Sequence, residues 1–249
     1  MTNTEIKTML ETLTSEEPYS ISCKIKNKYR LNIKKLNLEN KKGKKTRIYS
    51  TLYLMDRAGD DFTNGNGIPN IKYAMFVYDE NNETSDEELY IVIGQNPSYS
   101  FKNNIDRTNQ CIYKALICNG IHRYLLLNTF PIIDADGVNS PDVLKTKENL
   151  AISKTILNSL FGNVKIKILF ACGSSLPVYA QFINDINEFA AIKKIDTNAF
   201  EYNKRPQTHM SIQTINSQKI DLSLMEIKKY TVSCIDSEEF KKAKFEKGE

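Results

Sequence analysis

Three short polar clusters, each placed directly after an apolar run, hold the residues of this chain best suited to chemistry: Gly94-Gln95-Asn96-Pro97-Ser98, Asn128-Thr129 and Gly173-Ser174-Ser175. Their side chains are amides and hydroxyls, which donate and accept hydrogen bonds without carrying charge. Groups of this kind position a water or read the edge of a small ligand or base. Two ionisable residues join them as candidates. Asp106 stands immediately before a helical pattern and is most simply its N-cap, with a direct catalytic role as the alternative. His209 lies on a polar loop with Arg205, Gln207 and Thr208, whereas the other histidine, His122, follows a glycine at a strand start and reads as structural. Ser98 has no His and acid at the spacing of a hydrolase triad, so it is not read as a nucleophile. Ser174 caps the helix after Gly173, and a helix amino terminus is also a phosphate site.

A metal or redox centre is not indicated. The five cysteines, at 23, 111, 118, 172 and 234, are odd in number and show no Cys-x-x-Cys pair. That excludes a disulfide framework, a zinc site and an iron–sulfur cluster as readings of the pattern. Cys111 and Cys118 fall within an apolar helical pattern and read as small core residues.

The elements that would position these clusters alternate in type from residue 88 onward. Leu89-Tyr90-Ile91-Val92-Ile93 is an unbroken apolar run, the pattern of a strand buried on both faces in a parallel sheet. A helix is predicted over Arg107–Asn119, closed by Gly120, and a short strand over Tyr124–Leu127. Ser140-Pro141-Asp142 is a helix start, followed by apolar positions 152, 156, 157 and 160 and a stop at Gly162. Lys165–Ala171 is a third strand, and Pro177 opens a helix with Val178, Phe182, Ile183, Ile186 and Phe189 inward. Such alternation predicts an α/β fold with a doubly wound parallel sheet. Parallel strands would gather the three polar clusters on one rim, where ligands of open α/β sheets bind.

The first 87 residues read differently. Thr4–Leu13 is a short amphipathic helix, and Tyr29–Leu38, Arg47–Leu54 and Ile71–Tyr78 are strands, antiparallel at the sheet edge, around a polar loop from Asp56 to Asn70. Between Lys24 and Arg47 basic residues crowd together with a single acidic one, Glu39. This block, with Lys41, Lys42, Lys44 and Lys45 at its turn, would track phosphates or else form a solvated hairpin. The expected organisation is a β-rich, basic N-terminal extension (1–87), an α/β domain (88–236) and a charged tail (237–249) that frays. The 249 residues suit that plan, with 41% hydrophobic and 26% charged residues and a net charge of +4. No apolar stretch approaches the ~20 residues that span a bilayer, and the start lacks a signal-peptide layout. A cytoplasmic monomer with no membrane partner is expected.

The segment from Leu89 to about His209, roughly half the chain, resembles the bacterial domain-of-unknown-function family numbered 1643. The residues that carry the likeness are Asn96-Pro97-Ser98, Asp106 with Thr108, Asn128-Thr129-Phe130, Glu148-Asn149, Gly173, and Arg205-Pro206 with His209. The layout is similar in turn to the uracil-DNA glycosylase superfamily. Leu125-Leu126-Leu127-Asn128 matches that superfamily's base-reading strand, and Gly94-Gln95-Asn96-Pro97 its water-positioning loop. The last motif departs: Met210 follows His209 where the family has proline.

The resemblance implies a uracil-DNA-glycosylase-like fold and an N-glycosylase acting on a flipped base, modified or phage-type bases included. Asn96 would orient the attacking water, His209 would stabilise the departing base, and Asp106 would assist. Gln95, Ser98, Asn128, Ser174 and Arg205 would contact the substrate. An amide cannot ionise as the Asp of faster relatives does, so a slower reaction is expected. DNA is the expected partner ahead of RNA, no cofactor is called for, and DNA repair or antiviral defence is the implied setting. The alternative is a module that holds a nucleotide or modified base without cleaving it, within a phage–host conflict or sensing system.

Overall fold

The apolar run after residue 88 is a strand with every residue buried, in a computed structural model that describes residues 1–13, 21–32, 46–56, 71–80, 88–95, 97, 107–133, 143–173, 180–207, 210, 212–236 and 241–248. In chain order the elements begin with α1 (Asn3–Leu13), β1 (Ile21–Asn32), β2 (Thr46–Asp56), β3 (Lys72–Asp79) and β4 (Leu89–Gly94). There follow α2 (Arg107–Cys118), β5 (Arg123–Asn128), α3 (Val143–Leu160), β6 (Ile166–Phe170) and α4 (Ala180–Lys193). The last are β7 (Thr197–Tyr202), β8 (Arg205–Gln207), α5 (Ile212–Ser217), β9 (Glu226–Asp236) and β10 (Lys241–Lys247).

The strands join one sheet in the order β1-β2-β3-β5-β4-β6-β7-β9-β10, with β8 paired to β7. Its centre, β5-β4-β6-β7, is parallel. Both flanks are antiparallel. The expected parallel sheet is therefore the middle of a mixed one. The direction reverses after β7 because Asn203 and Lys204, at φ 51° and 61°, close a two-residue hairpin into β8.

Residues alternate between the two faces along each central strand. Ile91, Ile93, Leu125 and Leu127 pack with Ile6, Leu10, Ile152, Ile156, Phe182 and Ile186, contributed by α1, α3 and α4. Tyr90, Val92, Tyr124 and Leu126 pack on the other face with Cys111, Leu116 and Ile215, from α2 and α5. Helices on both faces are what a doubly wound sheet requires, and they explain why the central strands read as unbroken apolar runs. Gly120, at φ 75°, ends α2 as expected: its N–H donates to Ile117 O and that of Ile121 to Leu116 O.

The tail differs from expectation. Lys241–Lys247 does not fray but pairs with β9 in full register. The reason is a side-chain anchor: Lys247 Nζ reaches Glu201 Oε2 at 2.8 Å, and Tyr230 donates to the same oxygen at 2.7 Å. Cys111 and Cys172 are buried, and Cys118 is half-buried. Among the described residues no helix is long and apolar enough to cross a membrane.

Candidate functional site

The order of the parallel strands fixes where a ligand can enter. β4 continues through α2 into β5 on one side, and the chain then crosses by α3 on the opposite face into β6 on the other side. The strand order reverses between β4 and β6, so the crevice outside their carboxyl ends is the expected binding position.

Local sequence explains how the β4 and β5 ends are locked together. Thr129 N–H donates to Gly94 O at 2.9 Å, Phe130 N–H to Gln95 O at 3.1 Å, and Thr129 Oγ1–H to Gln95 O at 2.7 Å. Gly94 is required by space: a Cβ there would sit 2.5 Å from Asn128 Oδ1 and 3.2 Å from a Leu126 methyl. The glycine that ends the apolar run thus lets the Asn128 amide lie against the β4 backbone. On the other side Ala171 N–H donates to Ile93 O at 2.8 Å, and the chain turns through buried Cys172 and Gly173 at φ 88°.

Asn128 is the polar residue at the centre of this rim. It is 2% exposed, and among the described residues its Nδ2 has no hydrogen-bond partner. Its backbone carbonyl accepts a hydrogen bond from Asn149 Nδ2 of α3 at 2.7 Å. Asn149 is itself fully buried, as is Ser153 one turn further along α3, and among the described residues Asn149 Oδ1 and Ser153 Oγ have no partner. These polar atoms on adjoining elements are ones that the polar edge of a ligand would satisfy. The arrangement offers neutral donors and acceptors in a shielded setting, suited to an uncharged polar edge.

A further element reaches the same rim. β7 pairs with β6 through Thr197–Ala199 and with β8 through Phe200–Tyr202. β9 occupies the other edge of β7 from Asn198 to Glu201. β8 therefore continues the line of β6 beyond its carboxyl end, with Gln207 nearest that end and Arg205 exposed at the outer end.

Of the residues singled out in the sequence, Gln95, Asn128 and Arg205 are described, and all three lie along this carboxyl rim: Gln95 half-buried after β4, Asn128 buried and Arg205 exposed. Asn96, Ser98, Asp106, Ser174, His209, Lys41, Lys42, Lys44 and Lys45 lie outside the described residues. Their chain neighbours Pro97 and Met210 are buried, the latter in the core on the α2 side. Ser153 was not among the sequence candidates, and Asn149 was named only within the Glu148-Asn149 pair of the resemblance, with no role of its own. Their signal was two polar residues on the stripe that places Ile152, Ile156, Leu157 and Leu160 in the core. Among the described residues no three His, Cys, Asp or Glu side chains gather as metal ligands. Comparison with family models, curated proteins and solved structures gives no match for the chain.

Proposed function

We propose that this protein is a glycosylase-like enzyme that hydrolyses the N-glycosidic bond of a base flipped into the crevice at the ends of β4, β5 and β6. The observation that carries the reading is the buried, unpartnered amide of Asn128 beside the Gly94–Gln95 turn at the reversal of strand order. A flipped base brings a polar edge that such an amide satisfies, and extruding it is how enzymes reach a base held in a stack.

The reaction follows from the roles of the loop residues. The Asn96 side-chain carbonyl orients a water toward C1′ of the sugar. As the bond from C1′ to the base nitrogen breaks, its electron pair leaves with the base and the sugar gains oxocarbenium character. The water oxygen bonds to C1′ and its proton passes to the Asp106 carboxylate. His209 donates a hydrogen bond to the anionic base, Asn128 holds the base edge, and Gln95, Ser98, Ser174 and Arg205 contact the nucleotide. Lys41, Lys42, Lys44 and Lys45 grip phosphates of DNA. No metal or redox group takes part in these steps.

One feature favours the second reading, a module that binds a nucleotide or modified base without cleaving it. The polar side chains of the turn, Gln95, Asn96 and Ser98, are all neutral. The deciding experiment incubates the protein with duplex and single-stranded DNA carrying uracil, mismatches or modified pyrimidines, then cleaves abasic sites with alkali. Strand breaks at the marked base are the expected result. Saturable binding of base or nucleotide with no breaks selects the module, and neither result overturns both readings.

A further inference from the structure

The opposite, amino-terminal edge of the parallel strands holds a second feature, which the proposed chemistry does not use. A cavity of about 240 Å3 opens where α3 and α4 end and β6 and β7 begin. Lys165, Lys167, Lys193 and Lys194 line it, against a single lining carboxylate, Asp196. Glu88 pairs with Lys165 and, at 2.8 Å, with Lys167, so one carboxylate serves two ammonium groups. Lys193 lies 4.8 Å over the ring of Phe161, a contact that leaves its charge in place. Among the described residues neither Lys193 nor Lys194 forms an ion pair.

Lysines at helix ends often serve the last free carbonyls, but here the backbone has taken that part. Lys194 N–H donates to Ala191 O and Ile195 N–H to Ala190 O at the end of α4. Asn163 and Val164 N–H both donate to Leu160 O at the end of α3. The two helix ends still contribute about half a negative charge each. Four ammonium groups exceed that contribution together with Asp196 and Glu88, and the edge keeps a net positive charge.

We propose that this cavity binds a phosphate group, carried either by a nucleic-acid backbone or by a free polyphosphate. The volume falls below the ~300–1,000 Å3 of pockets that enclose a drug-sized ligand, which suits one anionic group of a larger molecule. Phe161 and Ile195 add apolar surface to its wall, which lowers the local dielectric and strengthens the attraction. The proposal uses none of Lys41, Lys42, Lys44 and Lys45 and does not rest on the reading of the carboxyl rim.

The test uses the full chain with isotope-labelled isoleucine methyl groups, observed by NMR during titration with tripolyphosphate and, separately, a short oligothymidylate. Saturable shifts at Ile166 and Ile195, weakened by added salt, are expected. The double variant K193Q/K194Q removes the two unpaired charges and should weaken the apparent affinity about fivefold, as two exposed charge contacts would. Signals of Ile112 and Ile215, in the core on the opposite face of the sheet, report that the variant keeps its fold. Shifts with oligothymidylate identify the polymer backbone as the source, and shifts with tripolyphosphate alone identify a free anion. No shift with either probe, or shifts that persist undiminished in the double variant, would overturn the proposal.

Discussion

Among the described residues the buried Asn128 Nδ2 has no partner, and such a nitrogen costs about 1–3 kcal/mol where nothing else satisfies it. Asn128→Ala removes that penalty and opens a small void, two effects of similar size and opposite sign. The variant should melt close to the parent. Its hold on a flipped base should weaken by about 1.5–3 kcal/mol, or roughly ten- to a hundredfold. Thermal melts together with titration by base-bearing DNA separate the two outcomes, and a large drop in melting temperature with unchanged binding would make Asn128 a packing residue. In the proposed reaction Asn96 and His209 act where charge develops. Asn96→Ala and His209→Ala should each slow single-turnover cleavage by about a hundredfold with DNA affinity nearly intact, while Asn96→Asp should keep or raise the rate. Cleavage at the parental rate in both alanine variants would remove those roles. The Leu-Leu-Leu-Asn end of β5 made Asn128 legible in the sequence. Asn149 was not, because a helix-interior asparagine shows its purpose only when the fold places it against the Asn128 carbonyl.

At the scale of elements, the antiparallel flank β7-β9-β10 is held by a small ionic cluster with its own pH signature. Hydrogen bonds from Lys247 and Tyr230 hold the Glu201 carboxyl below its ordinary range. Its stabilising effect is complete above the ordinary glutamate value of about 4.5 and is lost as pH falls through the lowered one. Burial, with the neighbouring Glu201 carboxylate, pushes the Tyr230 hydroxyl up to about 12. That contribution is complete below 10 and is lost as pH rises through about 12. Chemical denaturation of the parent should therefore show extra loss of stability on both limbs. Glu201→Gln should flatten the acid limb and shrink the alkaline one, and identical pH profiles for parent and variant would count against the cluster. This flank was the least legible part of the sequence. β10 is mostly lysine, and its pairing with β9 and the anchor of Lys247 on a buried carboxylate 46 positions away become visible only in the fold. By contrast α2, α3 and α4 were legible from their apolar spacing, since each packs one face on the sheet.

For the whole molecule, the question is whether residues 1–87 could be removed from a self-sufficient α/β unit. Composition and charge separate that segment from the rest, which made it read as an extension. In the structure β3 pairs with β5 from Ala74–Leu127 to Tyr78–Arg123, the same strand that ends in Asn128. Ile6, Leu10, Leu52, Leu54, Tyr73 and Phe76 lie in one cluster with Ile91, Leu125, Leu127 and Ile156. Arg123, fully buried, donates to Met1 O at 2.7 Å and ties the first residue to the start of β5. Burial of each large apolar side chain is worth about 1.5–3 kcal/mol, so those six N-terminal residues contribute on the order of 9–18 kcal/mol as an upper bound. The net stability of a domain is about 5–15 kcal/mol, and the loss would match or exceed it. Deletion of 1–87 should therefore leave 88–249 aggregated or without a cooperative melt, and the parent should unfold in one transition seen alike by near- and far-ultraviolet circular dichroism. A soluble 88–249 fragment with native dispersion and its own sharp melt would show that the N-terminal strands only decorate the sheet.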